Sequence, residues 1–549
     1  MKTPFLKWAA FLFALFHVYA NVFATIPELW FSAIHFGGFV VLCALTGNEK
    51  HEDQALPALW IRASNIGLAV LAVLVTAYLI FFEDALYARE AEFILSDYII
   101  TSVAVLLAIE FTRRTTGWFM PILIMISLSY ILFMGRYISG VFQFPGLSLE
   151  TVLYRSYFSE EGMFGMTANI SATYVFMFIL FGSFLLKSGA GDFIVSLARC
   201  LAGRFTGGAG FVAVIGSGLM GSVSGSAVAN TVSTGVITIP MMKRSGFNSQ
   251  FSAGVVAASS TGGALMPPIM GAGAFVMASY TQIPYLHIIA MSVLPAMLFY
   301  LTVMFFVRIE AKRLGLHADK YGDHESILSV LRTGWHFIIP LAVLVGLLVA
   351  GYTPIRAAAV AIIAVIISSW LSPTPMKWAG IFEATVDGVR TMVSTALLLV
   401  AVGLIINVVT TTGVGNAFSL MIVEWAQGSL PVTASYIVLA TLSAPILFDL
   451  IAQEQMLAAL SAPDLPASVV ATINLFGGDP LVALREMPLE MRQLLRTELL
   501  SPELLTGMLL SAHLIIFWLS QDSNVTPPVC LAAFAAAGIA GTRPMATGI

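Results

Sequence analysis

The segment 216–240 reads GSGLMGSVSGSAVANTVSTGVITIP, and 259–278 reads SSTGGALMPPIMGAGAFVMA. Both place glycine, serine, threonine and, in the first, an asparagine inside a strongly apolar chain. These residue types offer hydroxyl, amide and backbone oxygens, which suit a hard cation such as sodium. An unwound helix end at membrane depth supplies such oxygens from its own carbonyls. Ser222, Ser224, Ser226 and Asn230 of the first segment, with Thr261 and Gly262 of the second, are the predicted first sodium site. The positive ends of half-helices suit a substrate carboxylate. Gly225, Ser226, Gly263 and Asn524 are the nearest candidates, beside the breaks marked by Pro267, Pro268, Pro527 and Pro528. Repeat symmetry, set out below, predicts a second sodium site at Asp522, Ser523, Asn524 and Thr526. The competing reading of the small residues is close helix packing. For Asp522 it is a helix N-cap before Pro527.

Irregular backbone survives at membrane depth only where protein or a water-filled cavity surrounds it. The composition sets that depth: 549 residues, 58% hydrophobic and 10% charged, against roughly 25% charged in a soluble domain. The chain is therefore expected to be an all-α polytopic membrane protein, multi-pass in the cell inner membrane, with the lipid bilayer as its solvent. A net charge of −4 excludes nucleic acid as a partner. Cys43, Cys200 and Cys530 are far apart, with no metal-ligand spacing. His17, His35, His336 and His513 are scattered and read as satisfied helix residues. No nucleophile motif, His-Glu metal signature or phosphate-cradling loop supports an enzyme, and no organic cofactor is implied. The basic start and apolar run of residues 1–23 read as a retained helix rather than a signal peptide.

Apolar runs of about 20 residues predict helices near 5–24, 28–46, 59–82, 97–111 and 118–138. Lys2, Lys7, Arg113 and Arg114 put their ends of the bundle in the cytoplasm. Arg62 and Arg136 read as anchors of helix ends, and Trp8, Trp30, Trp60, Trp118, Trp335 and Trp378 as interface anchors. Arg199, Arg204, Lys243 and Arg244 bracket the glycine–serine segment on both sides. That segment is therefore expected to enter and leave on the cytoplasmic face, as a re-entrant hairpin.

The pattern then recurs. TTTGVGNAFSLMIVEWAQG at 410–428 resembles LLKSGAGDFIVSLARCLAG at 185–203. SQDSNVTPPVCLAAFAAAGIAGTRPMATG at 520–548 resembles SSTGGALMPPIMGAGAFVMASYTQIPYLH at 259–287. An odd number of crossings between the copies predicts an inverted repeat, a transporter architecture. The second hairpin is about 19 residues shorter than the first, and an insertion of about 55 residues lies at 448–504. The insertion reads as an amphipathic excursion on the outer face. The expected divisions are 1–138, helical module; 139–166, linker; 167–310, first repeat with its hairpin and interrupted helix; 311–385, connecting helices; and 386–549, second inverted repeat.

SGSAVAN at 224–230, TIPMMKRSGF at 238–247, STGGALMPPIMGAGAF at 260–275 and TPPVCLAAFAAAGIAG at 526–541 together resemble the permease of TRAP (tripartite ATP-independent periplasmic) transporters, of the TAXI type with a fused small subunit. The resemblance covers about 150–549, and helices within 1–138 match the small subunit more loosely. It implies sodium-driven uptake of organic acids, handed over by a TAXI-type periplasmic substrate-binding protein. It also implies an elevator movement of a transport domain against a scaffold that the small-subunit-like helices extend. Asn230 stands where many relatives carry Asp. The short second hairpin, and an end at Ile549 where relatives continue for one or two helices, leave a truncated or inactive fragment as the alternative. A channel or another ion-coupled transporter of similar fold is the remaining one.

Overall fold

The computed structural model describes residues 1, 3–50, 59–89, 92–202, 205–316, 326–372, 375–415, 417, 444–460, 465–521, 525 and 530–548. The runs become α1 (Pro4–Val22), α2 (Glu28–Lys50), α3 (Leu59–Ala88), α4 (Leu95–Thr116) and α5 (Phe119–Leu132). The last is the one clear departure among them. It stops at 14 residues, about 21 Å at 1.5 Å per residue, where a span to 138 was expected. The chain folds back instead. Leu147 N–H donates to Ile131 O at 2.9 Å and Phe144 N–H to Gly135 O at 3.0 Å, so loop amides take the carbonyls at the helix end.

After α6 (Leu149–Tyr157) come α7 (Met166–Ile170) and α8 (Phe176–Leu185), joined by a π-helical turn at 171–175. Gly189 then takes a left-handed φ of 102° and separates α8 from the amphipathic α9 (Gly191–Ala202). Next come α10 (Gly208–Ser224), α11 (Ala227–Arg244), α12 (Ser249–Gly263), α13 (Ala272–Thr281) and α14 (Tyr285–Arg313). The connecting helices are α15 (Ile327–Gly334), α16 (Ile338–Val349) and α17 (Pro354–Ser369).

Helix α18 (Trp378–Thr412) also ends on a left-handed glycine, Gly413, which the sequence pattern aligns with Gly189. The second hairpin, within 418–443, lies outside the described residues. The predicted excursion forms α19 (Ala444–Leu460), α20 (Ala467–Leu475), α21 (Pro480–Glu486) and α22 (Leu489–Leu499). It has its own apolar cluster around Met456, Val469, Ile473, Leu484 and Leu495. The chain closes with α23 (Pro502–Gln521), α24 (Leu531–Ala540) and α25 (Pro544–Thr547). Helices α13 and α24 are both ten residues long and both end on a left-handed residue, Gln282 and Gly541.

Among the described residues, nine helices are long and apolar enough to cross a bilayer. Their packing divides into two apolar cores. One gathers α1–α4, α8, α13, α17 and α18 around Phe36, Phe39, Phe111, Phe176 and Phe181. The other gathers α10, α11, α12, α14 and α24 around Ala213, Ile239, Val256, Val307 and Ala536.

The N-terminal helices are tied to the first core by a buried polar chain. His17 Nδ1–H donates to Phe13 O at 3.0 Å, so its Nε2 accepts, and His35 Nδ1 donates to it at 2.9 Å. His35 Nε2 then accepts from the Ser171 hydroxyl at 2.9 Å. Every member is satisfied with both rings neutral. Asn21 adds a bond to Ala172 O at 3.0 Å, on the π-turn, where i→i+5 bonding departs from the regular ladder. His336 departs from the satisfied state expected of it: among the described residues its buried Nε2 has no partner. Replacing His35 by leucine orphans His17 Nε2 and the Ser171 hydroxyl together. We expect H35L to lose about 1–3 kcal/mol, read as a lower midpoint of thermal unfolding in detergent; an unchanged midpoint would remove the chain as a tie.

Candidate functional site

The expected opening of 208–240 is present. Helix α10 ends at Ser224, Gly225 adopts φ 62°, and Ser226 caps α11 by accepting from Ala229 N–H at 3.4 Å. The arms are 17 and 18 residues long, or about 26 Å each, and pack side by side. The second segment breaks as well. Helix α12 ends at Gly263, residues 264–271 form a loop containing Pro267 and Pro268, and α13 starts at Ala272.

The two breaks meet backbone to backbone. A Cβ on Gly221 would lie 2.2 Å from Gly263 Cα, and one on Gly263 would lie 2.6 Å from Gly221 Cα. At the tip, a Cβ on Gly225 would lie 2.5 Å from Met270 O. Four helix ends thus share one place: the C-terminal ends of α10 and α12 and the N-terminal ends of α11 and α13. The first pair presents carbonyls and partial negative charge, the second pair amides and partial positive charge.

Asn230 sits at this crossing, fully buried. Its Nδ2 donates to Ser217 O at 2.8 Å and to Ser260 O at 3.4 Å. Those two carbonyls fix the amide orientation, and Oδ1 is left buried without a partner among the described residues. Ser224 Oγ, Ser259 Oγ and Ser260 Oγ are likewise buried and unpartnered. The other predicted ligands are occupied by their own helices. Ser222 Oγ donates to Leu219 O at 2.8 Å and Thr261 Oγ1 to Ala257 O at 2.9 Å, although each hydroxyl keeps lone pairs. Gly262 faces the Phe299 ring, 2.2 Å from a built Cβ. Pro268 O and Ile269 O accept from the Tyr285 hydroxyl at 3.0 and 2.5 Å. The residues available are therefore neutral oxygens, a donor set that fits a hard monovalent cation.

Sequence reasoning passed over Ser217, Gly221, Ser259 and Ser260, all within or beside the quoted segments. It also passed over Gly182 of α8, where a Cβ would lie 2.8 Å from Val223 O. Only the alternation of glycine and serine carries a signal for them. Asp522, Ser523, Asn524, Thr526, Pro527 and Pro528 lie outside the described residues. A cavity of about 760 Å³ reaches α13 through Phe275, Ala278 and Ser279, and also meets Asn169, Thr173 and Tyr285.

Nine helices among the described residues that are long and apolar enough to cross a bilayer, together with a polar crossing of broken helix ends, fit a multi-pass membrane protein. The profile of the family "Tripartite ATP-independent periplasmic transporter, DctM component" matches residues 103–549. The chain belongs to that family, which consists of inner-membrane transport components and not enzymes. It is similar to the C4-dicarboxylate TRAP transporter large permease protein DctM of Vibrio cholerae, 26% identical over 43% of this chain and 54% of that protein. It is 31% identical to the protein of the same name from Pseudomonas aeruginosa over 34% of this chain and 43% of the relative. It is also 26% identical to the sialic acid TRAP transporter large permease protein SiaM of Vibrio cholerae, over 45% and 57%. The chain spans about half the length of the curated relatives it matches.

The Gly221–Gly263 contact leaves no room for a methyl group, and the obstacle is backbone. We expect G221A to cost about 1–3 kcal/mol through forced separation of α10 and α12. Thermal unfolding of the purified chain checks this; a wild-type midpoint would mean that the helices do not touch there.

Proposed function

We propose that the chain is the permease subunit of a sodium-coupled secondary transporter that imports organic acids delivered by a periplasmic substrate-binding protein of the TAXI type. The observation that carries this reading is the crossing at Gly221 and Gly263, with Asn230 Oδ1 and Ser224 Oγ buried and unpartnered beside it. A sodium ion takes those oxygens and the carbonyl ends of α10 and α12. The amide ends of α11 and α13 take the substrate carboxylate. By repeat symmetry the second ion site is assigned to Asp522, Ser523, Asn524 and Thr526, and a part in substrate binding to Asn524, Pro527 and Pro528. The matched relatives carry C4-dicarboxylate and sialic acid in their names, and both are carboxylates, which supports the substrate class.

The mechanism is an elevator movement. Helices α10–α12, α14 and α24 move as a transport domain along a scaffold built from α8, α17 and α18. Residues 1–138 extend that scaffold as a small-subunit-like module. The segment 208–240 is a re-entrant hairpin open to the cytoplasm, its arms shorter than the roughly 30 Å hydrocarbon core. The inverted second repeat supplies the outward hairpin and places the 448–504 excursion on the outer face.

Uptake of a labelled organic acid into proteoliposomes tests the reading. It should require both an inward sodium gradient and the binding protein; equal uptake with potassium in place of sodium would sink the ion assignment. Ser224→Ala with Ser226→Ala should raise the half-saturating sodium concentration about threefold to tenfold, the loss of roughly 1 kcal/mol of ion binding. An unchanged sodium dependence would count against this hairpin as the ion site.

A further inference from the structure

A second cavity, of about 620 Å³, lies far in sequence from the glycine crossing. It is bordered by the end of α2 at Thr46, the start of α3 at Ile61, the end of α4 at Arg113 and Arg114, and by Arg390 and Ser394 of α18. Three arginines border this one space. Arg113 and Arg114 share Glu110: Arg113 donates through Nε at 2.7 Å and Nη2 at 2.9 Å, and Arg114 through Nε at 2.7 Å. Arg114 Nη1 donates to Asn65 Oδ1 at 2.8 Å. Arg113 also lies over the Trp118 ring and Arg114 over the Phe111 ring; among the described residues no hydrogen bond takes Arg113 Nη1 or Arg114 Nη2, and one carboxylate serves two guanidinium groups.

Arg390 differs from both. It stands at the head of the apolar run 391–409, and among the described residues it makes no hydrogen bond or ion pair. Asp387, one turn earlier, does not take it up. Ser394 follows Arg390 by four residues on the same helix face. Arg390 is exposed where it borders the cavity, so its guanidinium is open to an incoming anion, and the fork of guanidinium donors selects phosphate or carboxylate oxygens.

We propose that this cavity binds a phosphate group, held by Arg390, Arg113 and Arg114. Its place favours the phosphodiester headgroup of an anionic phospholipid. Arg113 and Arg114 mark the cytoplasmic end of the bundle, and basic pockets between membrane helices on that side suit anionic headgroups. Exposed Trp60 and Trp118 flank the same helix ends, at the level where headgroups lie. The lipid bridges α2, α3 and α4 to α18, and so holds the N-terminal helices against the spine of the second repeat.

Native mass spectrometry of the purified full chain, titrated with phosphatidylglycerol or phosphatidylcholine, tests the proposal without reference to transport. Wild type should retain phosphatidylglycerol at least tenfold more tightly than phosphatidylcholine, and R390Q should lose that preference. R390K, which keeps the charge without the fork, should lie between them and serves if R390Q does not fold. Inorganic phosphate forms the second arm. If millimolar phosphate alone raises the unfolding midpoint of wild type but not of R390Q, the site holds the same chemistry from a free anion rather than a lipid. Equal retention of the two lipids by wild type, with no effect of phosphate, would overturn the site. So would an undiminished preference in R390Q.

Discussion

In hydrocarbon every backbone N–H and C=O has to find its partner inside the protein. The fold obeys this while breaking two helices in the same place, and most of its unusual residues follow from that. Where α12 breaks, Tyr285 covers Pro268 O and Ile269 O, and Tyr300 covers Ser259 O at 2.9 Å. Both tyrosines come from α14, which therefore acts as a strut for the loop. Asn230 covers Ser217 O and Ser260 O. Gly271 N–H closes the loop on Ala264 O at 2.6 Å, and Gly225 N–H closes the hairpin on Gly221 O at 3.0 Å. Carbonyls are thus matched by donors, while Asn230 Oδ1 and three serine hydroxyls are left over. Leaving such atoms dry costs on the order of 1–3 kcal/mol each. Among the described residues nine buried side-chain atoms lack a partner, and four of them gather at this crossing, where a bound ion can offset their cost.

The second organising fact is the division of apolar packing. Met220 and Val223 of α10 face the first core, whereas Ala209, Ala213 and Val214 of the same helix face the second. The hairpin tip therefore sits on the boundary between the two bodies. Helix α18 belongs to the first and packs against α8 as well as α1, α2, α4 and α5. The N-terminal helices are consequently not an appendage. Phe11 lies 5.8 Å from Trp378, and Trp8 lies 4.8 Å from Phe382.

Much of this was legible in the sequence because it follows from backbone chemistry. Glycine and serine at 216–240 forecast a broken helix, and the break falls at Gly225 and Ser226. Gly189 and Gly413, aligned by pattern alone, both take left-handed φ. What pattern could not give was which oxygens are free. Ser222 and Thr261 look like ligands by type, yet each bonds its own helix, while Ser259 and Ser260 look the same and do not. That choice depends on rotamers set by packing. The His17–His35–Ser171 chain was equally hidden, because its members are 18 and 136 residues apart and meet only after α1, α2 and the π-turn assemble. The early end of α5 was missed because loop amides at 144 and 147 replace further helix turns.

The distribution of polar ties bears on how such a molecule can move. Lipid tails are as apolar as leucine, so apolar surface alone gives little reason for membrane helices to stay together. The first body uses polar bonds for that purpose. His35 reaches Ser171, Asn21 reaches Ala172 O, and Arg155 Nε donates to Thr411 Oγ1 at 2.9 Å. The second body does likewise: Lys243 Nζ donates to Ala540 O at 3.2 Å and Tyr300 to Ser259 O. Where α8 meets the hairpin the contact is of another kind. Gly182 lies flat against Val223 O, with no room for a Cβ and no side chain of its own to interlock. That one glycine lets α8 and α10 approach closely, while Met220 and Val223 of α10 pack into the first core beside it. The proposed elevator movement would carry the second body across this contact.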